Sequence, residues 1–366
     1  MSEAPAIHFS REPGLVHQQA DMLGGASIRV PFEGRAYNPG LVRLPVLTCG
    51  QLDGATYLMC VRVQPVEHAK VFTASRLELV GLTESFEVVW RRPLSVPDMN
   101  QEGTPTAEDG RLVLAQPWFG EVSGLTGSYP MRLMCAYTQA RFVDTSVIKR
   151  LTFKQALVRV DIAPSHPEAP SPLCSALKIA PVDLQPYFRN SHATHHNEKN
   201  WQFFWHHGQG YFIYSFTPFV VHPLNRGIKE TRKDYDSLKW WDMTWGEPHG
   251  GTPPVRLPNG EFLTFFNSFV QHPRYQRRYV VGALTFRMVE GRAEVSRITS
   301  QPLLIGTERE GFLWTSRAYW EPLVTFATGC TLERGTIILA VGVNDCWSHI
   351  IKLPVEEVLR RMTPVK

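Results

Sequence analysis

The chain has 366 residues, of which 43% are hydrophobic and 20% are charged, a composition typical of a globular protein with a sizeable core and not of a disordered one. Its 38 basic and 34 acidic residues leave a net charge of +4, too small to indicate a nucleic-acid partner or a membrane surface. Aromatic residues make up 11% and include 10 Trp, which fits a large core and also a groove that stacks on sugar rings.

Six cysteines are spread along the chain without a Cys-x-x-Cys pair, and several lie in apolar segments such as 58–60 and 133–135. Such cysteines are typical of buried free thiols in a reducing compartment and not of a disulfide framework. The N-terminal residues lack the apolar core of a secretory leader, and no segment approaches about 18 continuous apolar residues. We therefore expect a cytoplasmic protein.

From residue 31 onward the sequence repeats a unit of roughly 60 to 70 residues. Each unit opens with polar or Pro/Gly-bearing residues, followed by a strand, a turn and further strands. The segments with the strongest strand pattern are 37–44, 56–63, 72–90, 108–114, 131–137, 156–162, 211–216, 255–257, 261–267, 279–286, 293–300, 323–329, 336–343 and 348–353. The last segment, 355–362, instead has the apolar spacing of a helix.

Five such units with little helix between them predict an all-β protein, a five-bladed β-propeller over residues 31–366. Residues 1–30 are predicted to be an N-terminal extension, and the chain is predicted to end in a short helix. The alternative is a pair of β-sandwiches divided at the Pro/Ser-rich segment 163–172, but the units continue at similar spacing on both sides of it. In a propeller the polar residues that open the units converge on a central channel; they are Asn38, Asp109, Lys199, Thr252 and Asp345.

The second unit opens with residues 106–114 (TAEDGRLVL). In an extended strand, alternate side chains share a face, so Asp109 and Arg111 are predicted to point one way and Glu108 the other. An acid beside a guanidinium at the start of a buried strand suits proton transfer to a sugar oxygen. Taken alone, the same residues are also typical of a surface turn with a solvated ion pair.

The unit openings resemble those of the five-bladed propellers of the inverting β-mannoside phosphorylases (glycoside hydrolase family 130) and of the related β-1,2-mannosyltransferases. The family's first blade opens with Asn-Pro, matched by Asn38-Pro39, and an arginine closes its next strand, matched by Arg62. A Glu-Asp-Pro-Arg type motif opens the second blade and is matched by residues 108–111, with Gly110 in place of Pro. The Asp of that motif is the family's proton donor, so the resemblance implies that role for Asp109.

Later motifs follow in the same order. Lys199-Asn200 stands where the family has Lys-Asp, residues 279–283 match its Tyr-x-x-Gly-Ala strand, and residues 342–345 match its Gly-x-x-Asp pattern. One departure concerns the third blade, where the family's phosphorylases usually place an arginine at the end of the second strand. Residues 214–216 (Tyr-Ser-Phe) stand at that point, and this weakens the case for phosphate as the nucleophile.

The resemblance implies an enzyme that acts on β-linked sugars, most simply β-mannosides, with inversion at the anomeric carbon. Inversion needs an acid on the leaving oxygen and a nucleophile on the opposite face of the sugar. Asp109 is the expected acid, acting through a sugar hydroxyl, and burial would have to keep it protonated. Since Arg111 would lower the pKa of Asp109, we expect Arg111 to contact sugar or phosphate more closely than it contacts Asp109.

The nucleophile decides the class of reaction. Inorganic phosphate would make the protein a glycoside phosphorylase, and an acceptor sugar with a nucleotide-linked or phosphorylated donor would make it a glycosyltransferase. Water would make it a hydrolase, with Glu198 or Asp345 as base. A non-catalytic carbohydrate-binding or scaffolding propeller is a further alternative. The candidate phosphate ligands are Arg62, Arg141, Lys199 and His249. The candidate substrate contacts are Asn38, Arg62, Glu108, Arg111, Lys199, Asn200, Trp201, His249, Thr252 and Asp345.

Two further clusters have alternative interpretations. Five tryptophans, Trp201, Trp205, Trp240, Trp241 and Trp245, suit either a sugar platform or an aromatic plug between blades. Histidines at 192, 195, 196, 206 and 207 do not have the spacing of a common zinc site and are interpreted as part of a polar loop. We expect neither a metal nor a cofactor.

Overall fold

The computed structural model describes residues 16–32, 34–44, 54–64, 75–94, 106–115, 131–145, 148–162, 177–182, 200–224, 240–271, 277–306 and 323–365. Strands dominate these residues. They are β1 (Ala26–Arg29), β2 (Arg35–Arg43), β3 (Tyr57–Gln64), β4 (Arg76–Leu82), β5 (Val88–Pro93), β6 (Thr106–Ala115), β7 (Met131–Thr145), β8 (Ile148–Ile162), β9 (Leu177–Val182), β10 (Gln202–His206), β11 (Gln209–Phe216), β12 (Phe219–Pro223), β13 (Val255–Arg256), β14 (Phe262–Gln271), β15 (Arg277–Val289), β16 (Arg292–Thr299), β17 (Leu304–Ile305), β18 (Thr325–Glu333), β19 (Thr336–Val343), β20 (Trp347–Pro354) and β21 (Met362–Pro364).

The helical elements are short: α1 (Val16–Met22), a 3₁₀ turn (Met243–Trp245) and α2 (Val355–Arg360). Helix α2 confirms the short C-terminal helix predicted from the spacing of its apolar residues. Within the described ranges, no helix has the length and apolar character needed to cross a membrane.

The strands pair antiparallel into five sheets. The first sheet is β2-β3-β4-β5, the second is β6-β7-β8-β9 and the third is β10-β11-β12. The fourth is β13-β14-β15-β16 with β21 at its edge and β17 paired to β15, and the last is β18-β19-β20 with β1 at its edge. Nearly all residues of strands such as β3 and β19 are buried because neighbouring sheets cover both of their faces.

The sheets follow one another around a common axis. Strand β2 contacts β6 on one side and β18 on the other, β6 contacts β10, and β14 contacts β18. The circuit continues between the third and fourth sheets, where the rings of Phe204 and Phe262 lie 5.0 Å apart. This arrangement confirms an all-β propeller over the alternative of two sandwiches.

The predicted number of blades is corrected by the sheet topology. Four sheets have four or more strands, whereas the third has three in the described part of the chain. In the described part of the chain, four complete blades are therefore present, and the predicted count of five four-stranded blades is wrong there. Within residues 200–224, the third unit contributes a three-stranded meander, one strand fewer than the smallest of the other sheets.

The segment before β2 is bonded to two sheets. Strand β1 pairs along β20, with Ala26 opposite Lys352 and Arg29 opposite His349. In α1, the buried Gln19 amide donates to the Ile305 carbonyl at 2.9 Å and accepts from the Ile305 N–H at 2.7 Å. Residues 16–29 thus join the last sheet to the fourth.

Candidate functional site

A cavity of about 640 Å³ lies at one end of the propeller axis, and residues from all five sheets or their connections line it. The lining includes Asn38, Arg62, Glu108, Asp109, Asn200, Tyr214, Ser215, Phe216, Thr217, Glu247, Pro248, His249, Gly250, Phe269, Arg277, Tyr279, Val324, Phe326 and Asp345. Six of the predicted substrate contacts and the predicted acid, Asp109, belong to this lining.

Bulges in the innermost strands aim two of the polar side chains into the cavity. The register of β2 shifts between Tyr37 and Gly40, and that of β6 shifts between Glu108 and Arg111. At these points Asn38 has φ 50° and Asp109 has φ 53°. Asn and Asp tolerate this left-handed conformation better than other non-glycine residues, and a bulge redirects the side chain that it carries.

The same conformation recurs where other sheets meet the cavity. Asn200 precedes β10 with φ 67°, and Asp345 lies in the turn between β19 and β20 with φ 48°. Left-handed non-glycine residues cost free energy and gather at functional sites. Their coincidence with the cavity lining singles out this end of the propeller as the candidate site.

The bulge in β6 overturns the predicted alternation of side chains at the start of the second unit. Glu108 and Asp109 both line the cavity, whereas Arg111 is 1% exposed and lies behind it. A bulge places two residues opposite one on the partner strand, so the period of two is lost at that point. The strand pattern of the sequence carries no sign of this interruption.

The Asp109 carboxyl is held by an amide from the neighbouring sheet. Asn38 Nδ2 donates to Asp109 Oδ1 at 2.7 Å, and the Asp109 residue is only 9% exposed. Because the donor lies on β2 and the acceptor on β6, the two sheets together fix the orientation of the carboxyl. Its second oxygen is left for another partner in the cavity.

Arg62 is paired with Glu108 beside this carboxyl. Arg62 Nη2 and Glu108 Oε1 are 2.8 Å apart, and both side chains are about nine-tenths buried. The Arg62 guanidinium also lies 5.2 Å from the centre of the Tyr37 ring. A buried cation matched by a carboxylate has little charge left for an external anion, so Arg62 is better suited to sugar hydroxyls than to phosphate.

Asp345 completes the acidic side of the cavity. Burial raises the pKa of its carboxyl to about 6, with Arg62 opposing the rise and Asp109 adding to it. Arg35 Nε donates to the Asp345 carbonyl at 3.1 Å and so holds the backbone of the turn. A carboxyl that titrates near neutral pH can accept or release a proton under physiological conditions.

Arg111 connects three sheets from behind the cavity. Its Nε donates to the Gly251 carbonyl at 2.7 Å, Nη1 to the Asp109 carbonyl at 3.1 Å and Nη2 to Asn200 Oδ1 at 3.1 Å. Burial lowers the pKa of Arg111 to about 10, against the pull of Asp109. Arg111 thus contacts the Asp109 backbone directly, and the expected closer contact of Arg111 with sugar or phosphate stays a prediction.

Two other predicted contacts also lie away from the cavity. Trp201 is buried and stacks on Phe212, with ring centres 4.6 Å apart. Thr252 is fully buried, and its hydroxyl accepts from the Phe265 N–H at 3.1 Å. The structure brings His249 and Asn200 to the cavity lining, together with Asn38, Arg62, Glu108, Asp109 and Asp345.

The tryptophans after the third sheet pack into the fold. Trp241 is buried with its ring 5.0 Å from that of Phe266, and Trp240 and Trp245 pack against the same apolar cluster. These three side chains therefore follow the aromatic-plug interpretation rather than the sugar-platform one. The residues that follow these tryptophans and line the cavity are Glu247, Pro248, His249 and Gly250.

Several predicted residues lie outside the described part of the chain: Lys199, Glu198, the histidines at 192, 195 and 196, and the side chain of Arg141. His206 and His207 are described and lie at the β10–β11 hairpin, with ring centres 4.1 Å apart. Neither belongs to the cavity lining.

Sequence reasoning named His249 as a candidate contact and Tyr279 within a family motif, but it missed the aromatic part of the cavity lining that they form with Phe269 and Phe326. We call it the aromatic wall; it consists of His249, Phe269, Tyr279 and Phe326, whose ring centres lie 5.5 to 6.3 Å from their neighbours. Arg277 also lines the cavity on this side. The phenylalanines occur in alternating apolar strands, where the pattern indicates only a core, and no motif marks Arg277.

No protein-family model and no curated protein matches the chain. Solved structures do match it. A β-1,2-mannobiose phosphorylase from Listeria innocua, in complex with β-1,2-mannobiose, is 14% identical, with 92% of this chain and 93% of that chain covered and a TM-score of 0.51. A glycosyl hydrolase from Bacteroides ovatus is 13% identical, with 91% and 88% covered and a TM-score of 0.54.

The fold is shared with these enzymes. The resemblance expected from the unit openings is confirmed at this level, over almost the whole length of each chain. At such low identity the likeness concerns the arrangement of the strands, and the chemistry has to be argued from the cavity of this chain.

Proposed function

We propose that the protein is a carbohydrate-active enzyme that transfers a β-linked sugar, most simply a mannosyl residue, with inversion to phosphate or to an acceptor sugar. The observation that carries the proposal is the position of Asp109, a buried carboxyl oriented by Asn38 at the wall of a 640 Å³ cavity. The choice of mannose is supported by the fold shared with the Listeria enzyme, which was solved with β-1,2-mannobiose.

The cavity residues divide into roles under this proposal. Asp109 supplies the proton for the leaving oxygen, which requires that its carboxyl be protonated when substrate is bound. The Arg62–Glu108 pair offers donors and acceptors to sugar hydroxyls. The aromatic wall suits the apolar face of a sugar ring. The nucleophile then approaches from the side opposite Asp109.

Incubation with β-1,2-mannobiose tests the proposal. A phosphorylase would form mannose 1-phosphate only when inorganic phosphate is present, and a transferase would need GDP-mannose or another activated donor. Proton NMR of the first-formed anomer reports inversion. We expect Asp109→Asn to lower kcat by about 100-fold or more, the range for loss of a general acid.

The matched control is Glu294→Gln, the same carboxyl-to-amide change at an exposed position of β16. It should leave turnover unchanged. Near-complete turnover by Asp109→Asn would exclude Asp109 as the acid, and binding of mannobiose without any product would favour the non-catalytic carbohydrate-binding alternative.

Inverting hydrolysis is a second candidate, and the titration of Asp345 favours it. With a pKa of about 6, this carboxyl is mostly ionised above neutral pH and can take a proton from water. Release of free mannose without phosphate, with a rate that rises through pH 6 and is lost in Asp345→Asn, would identify this reaction. The cytoplasmic location and the division of the chain near residue 30 remain predictions.

A further inference from the structure

We propose that Arg277 binds an anionic group of the ligand, a phosphate or a carboxylate, on the aromatic wall of the cavity. The inference rests on the proposed function only in taking the ligand to be a sugar. The anion contact itself follows from the contacts and charge of Arg277. Arg277 is absent from every motif recognised in the sequence.

The Arg277 guanidinium has two aromatic neighbours. It lies 4.5 Å from the centre of the Phe269 ring, and it lowers the pKa of the nearby Tyr279 hydroxyl, against the rise caused by burial. Phe269 and Tyr279 belong to the paired strands β14 and β15, in direct register. A guanidinium that lies against a ring loses less side-chain freedom when it binds a ligand, and it keeps its N–H donors for an anion.

The charge of Arg277 is not matched by any described carboxylate. The other guanidinium of the cavity lining, Arg62, is paired with Glu108. Arg111 is sealed behind the cavity by three hydrogen bonds. Among the described lining residues, Arg277 is therefore the guanidinium free to neutralise a ligand. Residues 214–216 also line the cavity and add no basic side chain.

The surroundings also set the strength of the contact. Arg277 is exposed, and the lining includes the carboxylates of Glu247 and Asp345, which repel an anion. Binding should therefore be modest and should weaken as salt is added. Because Glu247 and Asp345 lie in the same cavity as Arg277, neutralising one of these carboxylates should tighten binding of the anion.

Two sources can present this anion: free inorganic phosphate, or an acidic substituent carried by a sugar. Isothermal titration of the wild-type protein with inorganic phosphate, mannose 1-phosphate and mannose separates them. Arg277→Gln should weaken binding of the anionic probes by about three- to tenfold and leave mannose unaffected. Glu247→Gln should tighten it, and Arg292→Gln, an exposed arginine at the β15–β16 turn, should change nothing.

The outcomes are separable from turnover, because binding alone is measured. If binding of both anionic probes depends on Arg277, free phosphate is a ligand. If only the binding of mannose 1-phosphate depends on Arg277, the anion is one carried by a sugar. Either result supports the proposal, even in a protein without measurable turnover. Equal affinity in wild type and a folded Arg277→Gln variant, or no binding of either anionic probe to the wild type, would overturn it.

Discussion

At the scale of single residues, the cavity depends on side chains that accept unusual backbone conformations. Asn38, Asp109 and Asp345 all have positive φ and all line the cavity. Any β-branched or bulky replacement would pay for the left-handed conformation in addition to losing its polar group. At these positions, both the left-handed backbone and the need for a polar side chain therefore favour Asn or Asp.

At position 110, it is packing that favours glycine. A Cβ at this position would lie 2.4 Å from Cys60 Sγ and 3.4 Å from Cys135 Sγ, and the two thiols are 3.8 Å apart. The sulfurs fill the space beneath the turn that carries Asp109. The departure from the Glu-Asp-Pro-Arg motif therefore has a local cause: a proline ring would require the buried thiols to move.

Asp345 gives a prediction for stability against pH. Its pKa is about 6 in the folded protein and near 3.8 ordinarily, so folding favours the protonated form. This contribution is fully present below about pH 4 and is lost as pH rises through 6. Relative to wild type, Asp345→Asn should gain up to about 3 kcal/mol between pH 4 and pH 7.5.

Urea denaturation at a series of pH values measures this difference, with Glu294→Gln as the control that should follow the wild-type curve. If wild type and Asp345→Asn lose or gain stability in parallel over this range, the carboxyl is not perturbed by burial as described.

At the scale of elements, the inner strands are joined through Arg111 as well as through apolar contacts. Its guanidinium bonds to the turn of β6, to the residue before β10 and to the segment before β13. Each sheet is a separate antiparallel meander, so such connections set the relative position of the turns. The cavity geometry is thereby tied to a side chain that never reaches the cavity.

Replacing Arg111 by Met should therefore destabilise the fold by about 3 kcal/mol or more, since two buried carbonyls and the part-buried Asn200 amide lose their donor. Arg287→Met offers a matched control, because Arg287 pairs with Glu261 but is largely exposed, and it should cost under about 1 kcal/mol. Chemical denaturation compares the two variants; equal losses would mean that the buried hydrogen bonds of Arg111 contribute little.

The sequence predicts the strands correctly, but it does not predict the bulges. The segments 336–343 and 131–137 coincide with β19 and with the start of β7, because alternating or continuous β-branched and aromatic residues are a strong local signal. The side-chain direction at Glu108 was predicted wrongly, since a bulge depends on pairing with a distant strand. Arg277 escaped notice for the same reason: its neighbours are near only after β14 and β15 pair.

At the scale of the whole molecule, the two ends of the chain reinforce the ring. Strand β1 pairs with β20 in the last sheet, and β21 pairs with β16 in the fourth. Gln19 adds two buried hydrogen bonds to Ile305. A propeller whose first and last sheets meet requires such closure, because the connection between them is not covalent.

A truncation that removes residues 1–30 should therefore lower Tm substantially, by about 5 °C or more, since it exposes an edge of β20 and leaves the Ile305 backbone groups without partners. Removing residues 1–15 alone, which keeps α1 and β1, is the control and should have a much smaller effect. Differential scanning calorimetry measures both. Equal Tm values for the longer truncation and the full chain would show that the ring is closed without β1.

The turns at Asn38, Asp109, Asn200 and Asp345 belong to different sheets, and each lies outside the regular hydrogen-bond ladder. A substitution at one of them changes what the cavity presents without altering strand register elsewhere. The turns at Asn38, Asp109 and Asn200 are nevertheless linked, through the Asn38–Asp109 hydrogen bond and through Arg111. A change in the preferred donor, acceptor or nucleophile therefore requires compatible residues at several of these turns.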